Sequence, residues 1–197
     1  MQKNTPAFTM KKNKCSFFIL AAIGCVAGLS SCNKGLFNNT EKETDFIVND
    51  VPFSIPVLTK TGQSDSITAF HYKVNMDSLV KKLDGKFDTT DLKSALLTNC
   101  ELFLDNHTAA DNFSSLHTCT IGIETAKLPN LTRLSTKTDI VDTPAYYLKM
   151  QDQYTQNYNN QYMADSVNYI IYGNIRKITS LPMTGKARLT FHMKLSR

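Results

Sequence analysis

The sequence predicts a mainly β chain that folds as an antiparallel β-sandwich, Ig-like or related, with one or two short helices. Several short segments alternate apolar and polar residues, and the C-terminal KARLTFHMKL is the clearest of them. Glycine and proline punctuate these segments, at Gly85, Pro129, Pro144, Gly173, Pro182 and Gly185. Alternation with period two between regular turn signals is typical of sandwiches.

The strands are predicted in the following order along the chain. DFIVNDVPFSIPVL contains Pro52 and Pro56 and is expected at a sheet edge, because proline cannot donate a ladder hydrogen bond. SITAFHYKVNM follows, and DSLVKKLDGKF has the spacing of a short helix capped by Asp77. The remaining strands are predicted in TNCELFLDN, HTCTIGIETA, LTRLST, AYYLKM, SVNYIIYGNIRKI and KARLTFHMKL. Periodicity leaves their topology open.

The N-terminal segment has the layout of a signal peptide. Residues 16–29 carry no charge and follow Lys11, Lys12 and Lys14. As a helix this run spans roughly 21 Å, which is short of the ~30 Å hydrocarbon core of a bilayer. It ends in Leu29-Ser30-Ser31-Cys32, which resembles the lipobox of bacterial lipoproteins. The alternative is a plain signal peptide followed by an incidental cysteine.

The lipobox resemblance implies a domain organisation. In that family the cysteine receives a diacylglycerol, the chain is cut before it and the new amino terminus is acylated, so Cys32 is the expected lipid anchor. Residues 1–31 are then the signal peptide with its helix. Residues 32–43 are polar and are expected to be a flexible tether, and residues 44–197 are expected to form a single β-rich domain.

Charge argues against nucleic acid as a partner. Four of the 22 Lys and Arg residues precede Cys32, which leaves 18 basic residues against 17 acidic ones after cleavage. Nucleic-acid binding needs a basic surface on the folded domain, and no such excess remains. The four histidines show no paired ligand spacing, so no metal site and no cofactor are predicted.

Two cysteines, Cys100 and Cys119, remain in the predicted domain. Each stands in an alternating run, and a hairpin around DNHTAADNFS would place them on neighbouring strands facing one core. An even number of cysteines in an exported chain is consistent with a disulfide. A bridge and two buried thiols both remain open.

The segment QDQYTQNYNNQYMADSVNY holds the candidate ligand-binding residues. Tyr154, Tyr158 and Tyr162 recur every fourth residue, so on a helix they line one face, with Asn157 and Gln161 beside them. Aromatic rings and amides are suited to stacking on sugar rings and bonding their hydroxyls. The alternatives are a stripe that packs on the sandwich, which aromatic residues at this spacing favour, or a long polar loop.

The order of segments from residue 44 to the end resembles small outer-membrane lipoproteins of the Bacteroidota with a β-sandwich domain. The resemblance implies a cell-envelope location, with the protein lipid-anchored in the outer membrane and its membrane face unresolved. It also implies O-glycosylation at D-(S/T)-apolar acceptors, which here begin at Asp65, Asp77, Asp88 and Asp165. The predicted acceptors are Ser66, Ser78, Thr89 and Ser166.

No motif indicates an enzyme. There is no GxSxG elbow, no HExxH and no glycine-rich phosphate loop. The leading hypothesis is a membrane-anchored, non-catalytic binding or accessory module, with a glycan or an outer-membrane protein as its partner. The alternatives are a structural or adhesive surface subunit and a small hydrolase whose site a single sequence does not reveal.

Overall fold

The computed structural model describes residues 40–73, 75–126, 129–152, 157–159 and 166–197. Thr40–Arg197 form one compact unit. The predicted signal helix and most of the predicted tether lie outside the described residues. The first strand begins at Glu41 rather than near residue 44, because Glu41 and Glu43 already pair with Ser196 and Lys194 of the last strand.

Nine strands are formed by the described residues. They are β1 (Glu41–Ile55), β2 (Gly62–Lys73), β3 (Leu92–Leu104), β4 (Cys119–Glu124), β5 (Thr132–Lys137), β6 (Tyr147–Lys149), β7 (Gln151–Asp152), β8 (Ser166–Ile175) and β9 (Met183–Ser196). One α-helix, α1 (Met76–Leu83), and 3-10 turns at Thr89–Asp91 and Phe113–Ser115 complete the described elements. All eight predicted strands are present, and β7 was not predicted.

The strands form two antiparallel sheets. The four-stranded sheet has the order β1-β9-β3-β6, and the five-stranded sheet has the order β2-β8-β4-β5-β7. This arrangement confirms the predicted antiparallel sandwich. The predicted edge position of the first strand is also confirmed, since β1 pairs only with β9 in its sheet.

Alternation along β9 shows how the sequence builds the core. Leu189, Phe191 and Met193 are fully buried, whereas the residues between them point outward and are partly exposed. β9 lies between β1 and β3, so its inward side chains occupy the middle of the sandwich. The predicted inward and outward faces of this strand are therefore confirmed.

A β-bulge interrupts β1 at Asn49 and Asp50. The pairing with β9 shifts between Val48 and Val51, and Asp50 has a φ of 51°. Asp tolerates this left-handed conformation better than most side chains do. Because of the bulge, Val48 and Val51 are both buried while the two polar residues between them face outward.

One chain segment passes from the first sheet to the second. β6 pairs with β3, the N–H of Met150 donates to the carbonyl oxygen of Cys100 at 3.0 Å, and β7 then pairs with β5. On the opposite side of the sandwich, the hydroxyl of Thr68 in β2 donates to the carbonyl oxygen of Ser54 in β1 at 2.6 Å. Both open sides of the sandwich are therefore partly closed.

The strand directions place four loops at one end of the sandwich. β1 ends where β9 begins, and loops 56–61, 105–118, 138–146 and 176–182 all lie at this end, which we call the distal end. Thr40, α1 and Arg197 lie at the opposite, proximal end. At about 3.3 Å per residue, β1 separates the two ends by roughly 45 Å.

The helix α1 begins earlier than its sequence pattern indicates. The side chain of Asn75, not Asp77, caps it by accepting the N–H of Ser78 at 2.9 Å. Asp77 lies in the first turn instead and forms an ion pair with Lys81 at 2.8 Å. The buried Met76 extends the apolar face by one position, which explains the earlier start.

Candidate functional site

The outer face of the four-stranded sheet carries a groove near the distal end. Its lining residues come from β3, the start of β6, the residues just before β6, and β9: Glu101, Phe103, Ala145, Tyr146, Tyr147 and Arg188. The groove has a volume of about 560 Å³. Pockets of this size accommodate small organic ligands.

Strand alternation explains why these side chains face outward. Leu102 and Leu104 on β3 point into the core, so Glu101 and Phe103 point out. The same rule applies to Arg188, which lies between the fully buried Ala187 and Leu189. The register of the sheet then brings the outward residues together, since Glu101 pairs with Arg188 and Phe103 pairs with Tyr147.

Arg188 is held by contacts on two sides. Its Nε donates to Oδ1 of Asn49 at 2.9 Å, and its Nη2 donates to Oδ1 of Asp50 at 3.1 Å. Its Cζ lies 5.5 Å from the centre of the Phe103 ring, within the range of a cation–π contact. The bulge in β1 thus supplies both polar partners that orient this guanidinium over the groove.

Glu101 is oriented by Tyr147. The tyrosine hydroxyl donates to Oε1 of Glu101 at 2.8 Å, and the Tyr147 ring lies 5.0 Å from the Phe103 ring. Burial, followed by the hydrogen bond and the charge of Glu101, raises the pKa of the Tyr147 hydroxyl above its ordinary value. The hydroxyl therefore stays protonated at neutral pH and remains a donor to the carboxylate.

Tyr146 is the most exposed aromatic residue of the groove. Its side chain is 61% exposed, and one face of its ring stacks on His107 with centroids 4.9 Å apart and an interplanar angle of 15°. The imidazole fixes the ring from one side. Most of the remaining surface of the Tyr146 side chain is exposed and available to a ligand.

Charges around the groove are balanced. Three cationic and three anionic side chains surround it: Lys149, Lys186, Arg188, Asp50, Glu101 and Asp105. Lys186 lies 3.5 Å from Asp105, and Arg188 lies 3.1 Å from Asp50, so two of the cations already have anionic partners. The groove therefore does not present a net charge of either sign.

This groove was missed in the sequence because its parts lie far apart in the chain. Asn49, Glu101, Tyr147 and Arg188 belong to four different strands, and only the register of the sheet places them together. The adjacent pair Tyr146-Tyr147 at the start of a short strand was the available signal. Two neighbouring tyrosines on a strand usually face opposite sides, so the pair did not indicate a shared surface.

The ligand-binding role considered for Tyr158 is wrong. This side chain is fully buried, and its ring meets Phe191 edge-on with centroids 6.1 Å apart. Its N–H donates to the carbonyl oxygen of Ala95 and its hydroxyl to that of Arg133. The packing alternative is the correct one at this position, because a buried ring is unable to stack on a ligand. Tyr154, Gln161 and Tyr162 lie outside the described residues.

Asn157 is exposed but serves the backbone of β3. Its Oδ1 accepts the N–H of Ala95 at 2.9 Å, and its Nδ2 donates to the carbonyl oxygen of Lys93 at 2.8 Å. These bonds satisfy backbone groups of β3 in the stretch where β6 no longer pairs with it. The amide predicted to bind a ligand is therefore engaged with β3.

The predicted neighbourhood of Cys100 and Cys119 is wrong. Cys100 lies on β3 of the four-stranded sheet and Cys119 on β4 of the five-stranded sheet, so their strands do not pair. Alternation indicates which face a residue occupies, but not which sheet it joins. The two cysteines form no disulfide with each other in the part of the chain described, and both side chains are fully buried. Burial raises the pKa of the Cys119 thiol to about 12.

The predicted glycosylation acceptors differ in exposure. Ser66 is exposed on β2 near a register shift, whereas Ser78 on α1, Thr89 in the first 3-10 turn and Ser166 at the start of β8 are half-buried. The N–H of Ser78 is engaged by the helix cap. Modification of one or two of these four positions stays a prediction.

Cys32, the predicted lipidation site, lies outside the described residues. Among the described residues, no helix is long and apolar enough to cross a membrane. In the same part of the chain, no group of three His, Cys, Asp or Glu side chains is arranged to hold a metal ion.

Comparison with known proteins identifies no family. No family model matches the chain, and no curated protein matches it. Similar solved structures include mud crab tombus-like virus, with 10% identity, a TM-score of 0.31 and coverage of 100% of this chain and 91% of that chain. Another is the Macrobrachium rosenbergii nodavirus semi-empty VLP, with 12% identity, a TM-score of 0.35 and coverage of 100% and 93%. TM-scores this low do not establish a shared fold or function.

Proposed function

We propose that this protein is a lipid-anchored, non-catalytic binding module of the bacterial outer membrane that holds its ligand in the groove around Arg188. The observation that carries the proposal is the position of the groove, which lies toward the distal end while Thr40 enters the sandwich at the proximal end. An anchor at Cys32 precedes Thr40 by only eight residues. The groove would then lie toward the end of the domain opposite to the residue at which the tether enters.

The chemistry of the groove supports binding rather than catalysis. Arg188 and Glu101 are each held by neighbouring side chains, and an arrangement fixed in advance lowers the entropy cost of binding. The carboxylate of Glu101 accepts a hydrogen bond from Tyr147, and the guanidinium of Arg188 is permanently charged.

The anchor is tested by replacing the predicted lipidated cysteine. The parent chain, expressed in a bacterium with lipoprotein maturation, should incorporate labelled palmitate and remain in the membrane fraction. Cys32→Ala should lose both properties, whereas Cys25→Ala, a matched control inside the predicted signal peptide, should keep both. Normal maturation and membrane retention of Cys32→Ala would contradict the anchor.

The proposed position of the groove relative to the membrane is tested with labels at two exposed apolar residues. Val141 in a distal loop is 64% exposed, and Leu131 before β5 at the proximal end is 42% exposed. A fluorophore on Val141→Cys should be quenched less by a quencher attached to lipid headgroups than the same fluorophore on Leu131→Cys. Stronger quenching at position 141 would contradict a groove held farther from the membrane than the point at which the tether enters.

A further inference from the structure

The groove combines an open aromatic surface with fixed polar groups. The rings of Tyr146 and Tyr147 are 61% and 39% exposed and line the same cavity. The Phe103 ring is engaged by Arg188 and by Tyr147, so the two tyrosines are the rings available to a ligand. Their faces are suited to an apolar, flat partner surface.

Hydrogen-bonding capacity remains at both charged groups. The two bonds from Arg188 to Asn49 and Asp50 leave further N–H donors on the guanidinium. Tyr147 bonds Oε1 of Glu101, and a carboxylate accepts more than one hydrogen bond. A ligand that lies between them must therefore both accept from Arg188 and donate to Glu101, as a hydroxyl group does.

Charge selects against an acidic ligand. The nearest cation, Arg188, is already paired with Asp50, and the carboxylate of Glu101 faces the same cavity. An anionic ligand in the cavity would meet this carboxylate, and Arg188 would have to share its charge with Asp50. The balanced charges therefore fit a neutral ligand.

The backbone of the groove argues against an extended peptide. Phe103 on β3 is already paired on both sides, with Lys186 of β9 and with Tyr147 of β6. A peptide strand gains most of its affinity from backbone hydrogen bonds at an open sheet edge. The floor of this groove is instead a sheet face made of side chains.

We infer that the groove binds a neutral saccharide, whose pyranose face rests on Tyr146 and Tyr147 and whose hydroxyls bond Arg188 and Glu101. This assignment rests on the proposed function, because it names the ligand class of the same site. A pyranose has an apolar face for the rings and hydroxyls that both donate and accept, and it carries no charge.

The test begins with a glycan array probed with the purified full-length protein in detergent, followed by titration of the strongest neutral hit. Tyr146→Ala and Glu101→Gln should each weaken that binding about tenfold or more, as expected when a central contact is lost. Tyr172→Ala and Glu124→Gln remove the same residue types from the five-stranded sheet and should bind like the parent. Thermal unfolding should verify that each variant is folded.

Several outcomes would overturn the assignment. A silent array, a response to acidic glycans alone, or neutral binding that the two groove variants leave unchanged would each contradict it. Because binding is measured in detergent, a result of this kind is separate from the palmitate experiment. Saccharide binding by a chain that is not acylated would instead overturn the anchor and leave the ligand class standing.

Discussion

The hydroxyl of Tyr158 donates a 3.0 Å hydrogen bond to the carbonyl oxygen of Arg133 on β5, in the five-stranded sheet. The N–H of the same tyrosine donates to Ala95 on β3, in the four-stranded sheet, at 2.9 Å. Tyr158 therefore connects the two sheets, with its backbone bonded to one and its hydroxyl bonded to the other. Burial raises the pKa of its hydroxyl to about 12, so this donor stays protonated at neutral pH.

Tyr158→Ala should strongly destabilise the domain. Removal of a buried aromatic side chain costs about 3–5 kcal/mol. Tyr158→Phe keeps the packing against Phe191 and loses only the bond to Arg133, which should cost about 1 kcal/mol. Denaturant unfolding of both variants measures the two losses, and equal stability of Tyr158→Ala and the parent would contradict the burial of this residue.

Asp111 joins distal loops 105–118 and 176–182, and the stability it contributes should depend on pH. Its carboxylate accepts the N–H of Ser180 at 2.6 Å, together with bonds from Thr108 and Leu181, and the bond from Ser180 is the main cause of its lowered pKa. Because the folded pKa lies below the unfolded value, the stabilisation is present above the unfolded pKa and is lost as pH falls through the folded pKa.

The corresponding experiment compares the parent with Asp111→Asn. The variant should have a lower Tm at neutral pH, and the difference should shrink as the solution is made acidic. Asp84→Asn serves as a control, because Asp84 makes a local turn bond to the N–H of Lys86. A constant difference in Tm between parent and Asp111→Asn across the acidic range would argue against the carboxylate as the cause.

His192 should titrate at a higher pH than an isolated histidine. Its Nδ1 lies 3.0 Å from Oδ1 of Asp45 and its Nε2 lies 3.5 Å from Oε2 of Glu43, and the hydrogen bond to Asp45 is the main cause of the raised pKa. On β3, the residue paired with His192 is Leu96, which carries no charge. On β9 itself, the neighbouring cation Lys194 forms an ion pair with Glu41.

The stability contributed by His192 changes with pH in the opposite direction to that contributed by Asp111. The stabilisation from His192 is fully present below the unfolded pKa and is lost as pH rises through the folded pKa. NMR titration of the imidazole should show a pKa above the ordinary value in the parent and a lower one in Asp45→Asn. An unchanged titration in Asp45→Asn would exclude Asp45 as the cause.

Cys100 and Cys119 should resist thiol reagents in the folded protein. Both side chains are fully buried, and the raised pKa of Cys119 further lowers its thiolate fraction. A chromogenic disulfide reagent should modify them only after unfolding, and a reductant should leave the Tm unchanged. A fall in Tm on reduction would indicate a bridge between them.

The sequence is sufficient to predict the sandwich because burial follows local alternation. The inward residues of β9, such as Leu189 and Phe191, and the edge position of β1 with Pro52 follow from period two and from the chemistry of proline. β7 was not predictable, since its two residues are too few to show a period. Its place depends on β5, which lies in a different part of the sequence.

Which strands pair with one another could not be predicted from the local sequence pattern. Cys100 and Cys119 share an alternation pattern but belong to different sheets, because loop 105–118 crosses from one sheet to the other. The groove has the same origin, since Arg188 meets Asp50 only through the register of β9 with the bulged β1. The helical spacing of tyrosines indicated position 158, where the side chain is buried. The exposed Tyr146 and Tyr147 have no such spacing and were therefore not predicted as a site.

The most direct test of the binding site is a crystal structure of the protein with a neutral oligosaccharide bound. We expect saccharide density on the outer face of the four-stranded sheet, with a sugar ring against Tyr146 and Tyr147 and a hydroxyl within hydrogen-bond distance of Arg188. Density elsewhere on the molecule, with the groove around Arg188 empty, would contradict it.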